Sequence, residues 1–163
     1  MDTKTFFSRF GQLHGQFRRG ALPGNLREEY NFFCATLTQM MVAAQNMTPE
    51  PGTQRGALRM AKMLRAEIEL APGKKEKTST IDIGQSGFAA VIAASLPVRS
   101  SVLFVLRLPL VPIEGMATVI SARPQRGAFR TSFKFENLSQ AANDALQVAL
   151  IDSVLERVQG RAS

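Results

Sequence analysis

Along this chain the spacing of apolar positions changes twice, and each change marks a change of structure. Phe6, Phe10, Leu13 and Phe17 recur at intervals of three and four, which places them on one face of a helix. Arg18, Arg19, Gly20 and the Pro23-Gly24 pair close that element. A second helix is predicted to open at Asn25 as N-cap, with Glu28 three positions on as in a capping box. Its stripe is Leu26, Tyr30, Phe33, Leu37, Met40, Met41 and Ala44. Two such helices alone make a thin core, so part of their apolar surface needs cover from packing or from a partner. The stretch from Thr48 to Thr53, with two prolines and a glycine, reads as a linker.

From Leu64 the period becomes two. Residues 64–70 alternate apolar with charged side chains, as a half-buried strand does. Ala71 to Lys77 reads as a charged turn. Thr78 to Ile83 is a second strand, with Ile81 and Ile83 on the core side and Thr80 and Asp82 on the other. Phe88 to Ala93 is a third. Val102 to Leu108, nearly all apolar, is a fourth and is predicted to be buried on both faces. Pro109 to Gly115 is a loop, Met116 to Ala122 a fifth strand, and Arg123 to Gly127 a turn. Ala128 to Phe135 is a sixth strand with Phe129, Thr131, Phe133 and Phe135 on one side. The helical period then returns: Ser139 is an N-cap, and Leu146, Leu150, Val154 and Val158 line one face. Most of these connections are too short for parallel crossovers. The pattern predicts a mainly β fold, a six-stranded antiparallel barrel with a C-terminal helix, preceded by an N-terminal helical segment. The expected division is residues 1–50 for the helices and 51–163 for the barrel with its helix.

Composition narrows function more than fold. Twenty Lys and Arg against thirteen Asp and Glu give a formal net charge of +7, which favours anionic partners without naming one. Fourteen of the cations are arginine, whose planar fork suits phosphate and base edges. Nucleic acid is disfavoured, because the strands lack rows of exposed aromatic residues on which bases would stack. The one cysteine, Cys34, excludes an intramolecular disulfide and reads as a buried hydrophobe in a reducing compartment. No apolar run is long enough to span a bilayer and no signal peptide is present, so a cytoplasmic location is expected.

Catalytic constellations are scarce. The single histidine, His14, reads as a surface or boundary residue, and one His with one Cys nearly excludes a Cys/His metal site. Glu67 and Glu69 beside Arg65 read as a solvated face. No serine has a partner base and no phosphate-cradling glycine loop occurs. The chain is therefore not expected to be an enzyme and carries no catalytic residue or metal.

What remains is an arginine pair and a polar turn. Arg55 and Arg59 stand four apart just before the first strand, and Asp82-Ile83-Gly84-Gln85-Ser86-Gly87 follows at the end of the second. The arginine spacing alone says little, since Arg126/Arg130 and Arg157/Arg161 repeat it. Position and order separate the first pair from the others. The arrangement resembles the PilZ domain, whose signature is Arg-x-x-x-Arg followed by (Asp or Asn)-x-Ser-x-x-Gly at a strand end. Asp82 and Gly87 match the two ends of the second motif, and Gly84 stands where the family has serine. The similarity runs on through Phe88, Leu106 to Pro109 and Phe129 to Phe135 into Asn137-Leu138-Ser139, covering roughly residues 53 to 158. The first fifty residues resemble nothing placed.

The resemblance implies a six-stranded barrel with a C-terminal helix, in agreement with the period reading, and a bacterial receptor for cyclic di-GMP as ligand, with no cofactor. It implies ligand contacts from Arg55, Arg59, Asp82, Gly84 and Gly87, with Ser86 and Lys62 as additional candidates. Arginine can clamp phosphate or bridge guanine O6 and N7, and a carboxylate can accept from guanine N–H groups. It further implies that the segment from Thr48 to Arg59 orders over the nucleotide and moves the N-terminal helices for a partner to read, in motility, pilus or exopolysaccharide control. The alternative is an adaptor of the same fold that binds no nucleotide and works through protein contacts, since some family members lack the motifs. The partner is unidentified, docking through the N-terminal helices is one route, and a homodimer stays open.

Overall fold

The computed structural model describes residues 1–46 and 58–158. It divides into two compact units, Met1–Leu58 and Arg59–Ser163.

The first unit is a helical hairpin. Helix α1 spans Thr3–Arg18 and helix α2 spans Arg27–Asn46. Asp2 caps α1 by accepting a hydrogen bond from Thr5 N at 2.8 Å, which meets one of the otherwise orphaned N–H groups. At the other end Gly20 takes a positive φ of 69°. Its N–H donates to Phe17 O, and Ala21 N donates to Gln16 O, the paired bonds of a Schellman stop. The predicted capping box at Asn25 does not form. Gly24–Leu26 is a single 3₁₀ turn led by Pro23, with Leu26 N donating to Pro23 O at 3.0 Å. That tighter winding takes up Asn25, and α2 opens at Arg27.

The two stripes meet through their rings. Phe17 and Tyr30 lie 4.7 Å apart and Phe6 and Phe33 4.8 Å, so the helices run antiparallel. His14 belongs to this core rather than to the surface or boundary: it is 4 % exposed, and its Nδ1 lies 2.9 Å from the Tyr30 hydroxyl. Helical spacing sets it one turn from Phe10, and the phenol supplies the hydrogen bond that a buried imidazole needs. Arg9 grips Glu29 with two bonds of 2.8 and 2.9 Å, and the Arg27 guanidinium lies 4.6 Å from the Phe17 ring centroid. Phe32 and Met40 remain exposed, so Met40 is not part of the buried stripe.

The second unit is the expected barrel. Its strands are β1 (Arg59–Ala61), β2 (Arg65–Ala71), β3 (Lys74–Gly84), β4 (Gly87–Ile92), β5 (Ser101–Arg107), β6 (Pro112–Gln125) and β7 (Ala128–Glu136), followed by α3 (Gln140–Val158). The order is β3-β2-β5-β6-β7-β4, and β4 pairs back with β3, which closes six antiparallel strands and removes their free edges. The short β1 is a seventh strand, laid against the end of β3, in a stretch before Leu64 where the sequence pattern predicts no strand. Inside, Phe88 lies 4.8 Å from Phe133 and 5.6 Å from Phe104, among the buried Ile68, Ile83, Leu106 and Val119. Ser139 caps α3 by accepting from Ala142 N at 3.1 Å. Leu146, Leu150 and Val154 of α3 are buried, and the side chain of Val158 lies outside the described residues.

Several predicted boundaries move for one reason: short turns let strands run further. The charged turn at 71–77 shrinks to Pro72-Gly73, with Gly73 at φ 77°. Lys75 and Lys77 then continue β3 opposite Glu69 and Glu67, as cross-strand pairs of opposite charge. Strand β6 begins at Pro112 inside the predicted loop. It ends at a two-residue turn in which Arg126 (φ 49°) and Gly127 (φ 82°) supply the positive angles a tight hairpin needs. Strand β5 is not buried on both faces. Val102, Phe104 and Leu106 point into the barrel, whereas Leu103 is 48 % exposed, because a closed barrel has only one inside. A bulge between Thr80 and Asp82 breaks the simple alternation in β3. Thr80 is buried and accepts from Leu64 N at 2.9 Å, while Ile81 is only half-buried.

Candidate functional site

The site grows from the bulge. Without the extra residue Ile81 would oppose Ala89; with it Asp82 opposes Ala89 and Ile83 opposes Phe88. Ile83 and Phe88 fill the barrel, so Asp82 and Ala89 share its outer face. Strand β1 lies on the other edge of β3, with Ala61 opposite Asp82 and Arg59 opposite Gly84. From there Arg59 reaches diagonally and donates from Nη1 to Asp82 Oδ1 at 2.9 Å, with side chains 24 % and 12 % exposed. Water screens this half-buried pair less than it screens a fully exposed one.

A third group joins them that sequence reasoning missed. Arg130 on β7 sets Nη2 3.9 Å from Asp82 Oδ2. The carboxylate therefore lies between two guanidinium groups from β1 and β7. Arg130 gets there through register: β7 pairs with β4 so that Arg130 opposes Val91, Ser132 opposes Ala89 and Lys134 opposes Gly87. The sequence signal was the outward alternation of Arg130, Ser132 and Lys134. Nothing in the sequence says that β7 lies one strand away from Asp82.

The other candidates fall as follows. Arg55 lies outside the described residues. Gly84 ends β3 and is buried. Gln85-Ser86 makes the turn, with Ser86 exposed and its carbonyl accepting from Phe135 N at 2.9 Å. Gly87 is held for a reason internal to the barrel: a Cβ there would lie 1.9 Å from Phe133 O and 2.9 Å from its carbonyl carbon. Only glycine lets β4 approach β7 so closely, and Gly87 is not among the residues with positive φ. Lys62 is drawn away, donating from Nζ to Ser153 Oγ on α3 at 3.0 Å. The structure thus brings Arg59, Asp82 and Gly84 together, adds Arg130, and turns Lys62 toward α3.

Among the described residues no group of His, Cys, Asp and Glu is placed to hold a metal, and no helix is long and apolar enough to cross a membrane. The arrangement suits a planar anionic ligand: two guanidinium forks for phosphate or base edges, and a carboxylate between them for donor groups.

Comparison with known proteins gives the family and agrees with the barrel fold. The family model for the PilZ domain matches residues 53–152. The chain belongs to the PilZ domain family. The matched span contains all seven strands and most of α3. Among curated proteins no sequence matches. Among solved structures the chain is similar to the Bacillus subtilis inhibitor of motility MotI, with 21 % identity and a TM-score of 0.55 over 72 % of this chain and 58 % of that one. It is also similar to Escherichia coli YcgR in complex with c-di-GMP, with 20 % identity and a TM-score of 0.56 over 67 % of this chain and 49 % of that one. A third is the K. pneumonia MrkH–c-di-GMP complex, with 16 % identity and a TM-score of 0.59 over 66 % and 56 %. At these identities the likeness is one of fold. The chain spans about half to three-fifths of the length of these three proteins.

Proposed function

We propose that the outer face of the PilZ barrel at Arg59, Asp82 and Arg130 binds cyclic di-GMP, and that the protein is a non-enzymatic cytoplasmic signalling effector that passes the binding event to a partner protein. Arg59 and Arg55 engage phosphate or guanine O6 and N7, and Asp82 accepts from guanine N–H groups. Contact through Arg55 couples the nucleotide to the chain that joins the two units, and a partner in motility, pilus or exopolysaccharide control reads the result. The observation that carries this reading is the Arg59–Asp82 pair at 2.9 Å, in which one member of each family motif meets the other on the same face.

Isothermal titration calorimetry of the full chain with cyclic di-GMP tests it. The expected outcome is saturable heat, and Arg55→Ala and Arg59→Ala each weaken affinity about tenfold or more, the value of one charged hydrogen-bonding contact. Unchanged affinity in both variants overturns the site. A second reading, an adaptor of the same fold without nucleotide, draws on Gly84, which lacks the serine hydroxyl of the family motif. One missing hydrogen bond is worth on the order of 1 kcal/mol, which lowers affinity but does not abolish it. No heat at micromolar cyclic di-GMP favours the adaptor. A gain in affinity on Gly84→Ser supports contact between turn and ligand.

A further inference from the structure

The outer face of strands β2, β5 and β6 carries an apolar centre ringed by carboxylates. Cross-strand register sets Leu103 opposite Met116 and Val105 opposite Glu114. On the β2 side Glu69 opposes Leu103 and Glu67 opposes Val105, and on the β7 side Glu136 opposes Met116. Leu103 is 48 % and Met116 42 % exposed. The patch opens into a cavity of about 450 Å³ that includes Glu67, Glu69, Lys75, Leu103, Val105 and Glu114. Neither Arg59 nor Asp82 lines it.

The charge of this face runs against that of the chain. The formal net charge is +7, yet the ring around Leu103 and Met116 is acidic. Arg107 lies 4.0 Å from Glu67, and on β3 Lys77 opposes Glu67 and Lys75 opposes Glu69, so cations border the β2 edge of the face while its β5–β6 centre carries none. Among the described residues no cation lies within ion-pair distance of Glu69, Glu114 or Glu136. Glu136 is instead held by the hydroxyls of Ser101 and Thr118, which keep its carboxyl below the usual range and therefore charged.

We propose that this face docks a basic protein segment whose apolar side chain seats against Leu103 and Met116 while flanking Lys or Arg groups meet Glu69, Glu114 and Glu136. Four physical points select that occupant. An anionic lipid surface or nucleic acid would face the carboxylates and be repelled. A symmetric pairing of two copies through this patch would set carboxylate against carboxylate, which costs rather than stabilises. Strands β2, β5 and β6 are paired on both edges here, so docking proceeds through side chains and not by strand addition. Complementary charge around an apolar anchor is the usual anatomy of a specific contact.

The test is heteronuclear NMR on the full chain with a synthetic seven-residue peptide of alternating Lys and Leu, and with its Glu-for-Lys counterpart as control. Shifts are expected to gather at Leu103, Val105, Glu114 and Met116 with the basic peptide alone. The double reversal Glu69→Lys with Glu114→Lys should weaken binding about tenfold, since each reversed contact is worth a few-fold. Leu103→Ser should weaken it as well, with the dispersed spectrum of the fold retained. Absence of binding, equal binding of the acidic peptide, shifts centred on another face, or affinity unchanged in both variants overturns the proposal. A dimer in sedimentation equilibrium that is lost on Leu103→Ser, or binding to phosphatidylglycerol vesicles lost in the same variant, overturns it in favour of self-association or a membrane.

Discussion

Gly87→Ala isolates what one hydrogen-to-methyl change does to the barrel. The added Cβ would lie 1.9 Å from Phe133 O, 2.9 Å from its carbonyl carbon and 3.1 Å from Lys134 Cα. All three are backbone atoms, so no side-chain rotation relieves the overlap. Restoring ordinary contact requires β4 and β7 to part by roughly 1.5 Å at this end. That separation disrupts the Gly87–Lys134 pairing and the adjoining bond from Phe135 N to Ser86 O, at about 0.5–1.5 kcal/mol per bond. It also loosens the 4.8 Å stack of Phe88 on Phe133, an arrangement worth about 0.5–1.5 kcal/mol beyond area burial. The sum is about 2–4 kcal/mol, which for a unit of this size lowers the midpoint by about 10–20 °C. Thermal unfolding followed by circular dichroism in the strand region measures it. Gly115→Ala is the internal control: its Cβ would meet Leu138 and Phe104 at 3.5 Å, an ordinary contact, so the midpoint should hold or rise slightly. A Gly87→Ala midpoint within about 2 °C of the parent, on the same stability scale, refutes the reasoning and returns Gly87 to a role in approach to ligand.

Three further outcomes are expected. Arg130→Ala weakens cyclic di-GMP about three- to tenfold, less than Arg59→Ala, because its contact with Asp82 is longer at 3.9 Å against 2.9 Å and it is more exposed; calorimetry reads the difference, and equal losses would contradict the ranking. Tyr30→Phe removes the hydroxyl that lies 2.9 Å from His14 Nδ1 in the hairpin core and lowers stability by about 0.5–1.5 kcal/mol, the net value of one hydrogen bond, seen as a lower urea midpoint with the Phe10 and Phe17 contacts intact. Thr118→Val raises the titration midpoint of Glu136, because the Thr118 hydroxyl is the chief cause of its lowered pKa, ahead of Ser101. A folded-state value depressed below the unfolded one means that this group's contribution to stability is present above the unfolded pKa and is lost as pH falls through the folded one. NMR titration of the glutamate carboxyls follows the shift, and an unmoved midpoint would refute the assignment.

The two motif halves were legible in the sequence, but their meeting was not. Arg59 and Asp82 are 23 positions apart, and only the pairing of β1 with β3 brings them to 2.9 Å. Arg130 looked like one of three arginine pairs with the same spacing until the register of β7 on β4 set it near the same carboxylate. The bulge at Ile81 was equally hidden, because a strict period of two places Thr80 outside.

What the sequence by itself determined is the kind and order of the elements. Local spacing decides whether an apolar stripe suits a helix or a strand, and six strands between helices follow from it. The caps at Asp2 and Ser139 and the stop at Gly20 are local events of the same kind, made between residues within a turn or two of one another. What only the tertiary structure decided is which faces are inside. Closure of β4 on β3 gives the barrel one interior, so Leu103 of an almost wholly apolar strand ends in solvent; in the helical hairpin, packing of α1 on α2 puts His14 in a core. The acidic ring around Leu103 and the Arg59–Asp82–Arg130 cluster depend on partners distant in sequence, and their register is set by bulges and turns that local preference leaves open.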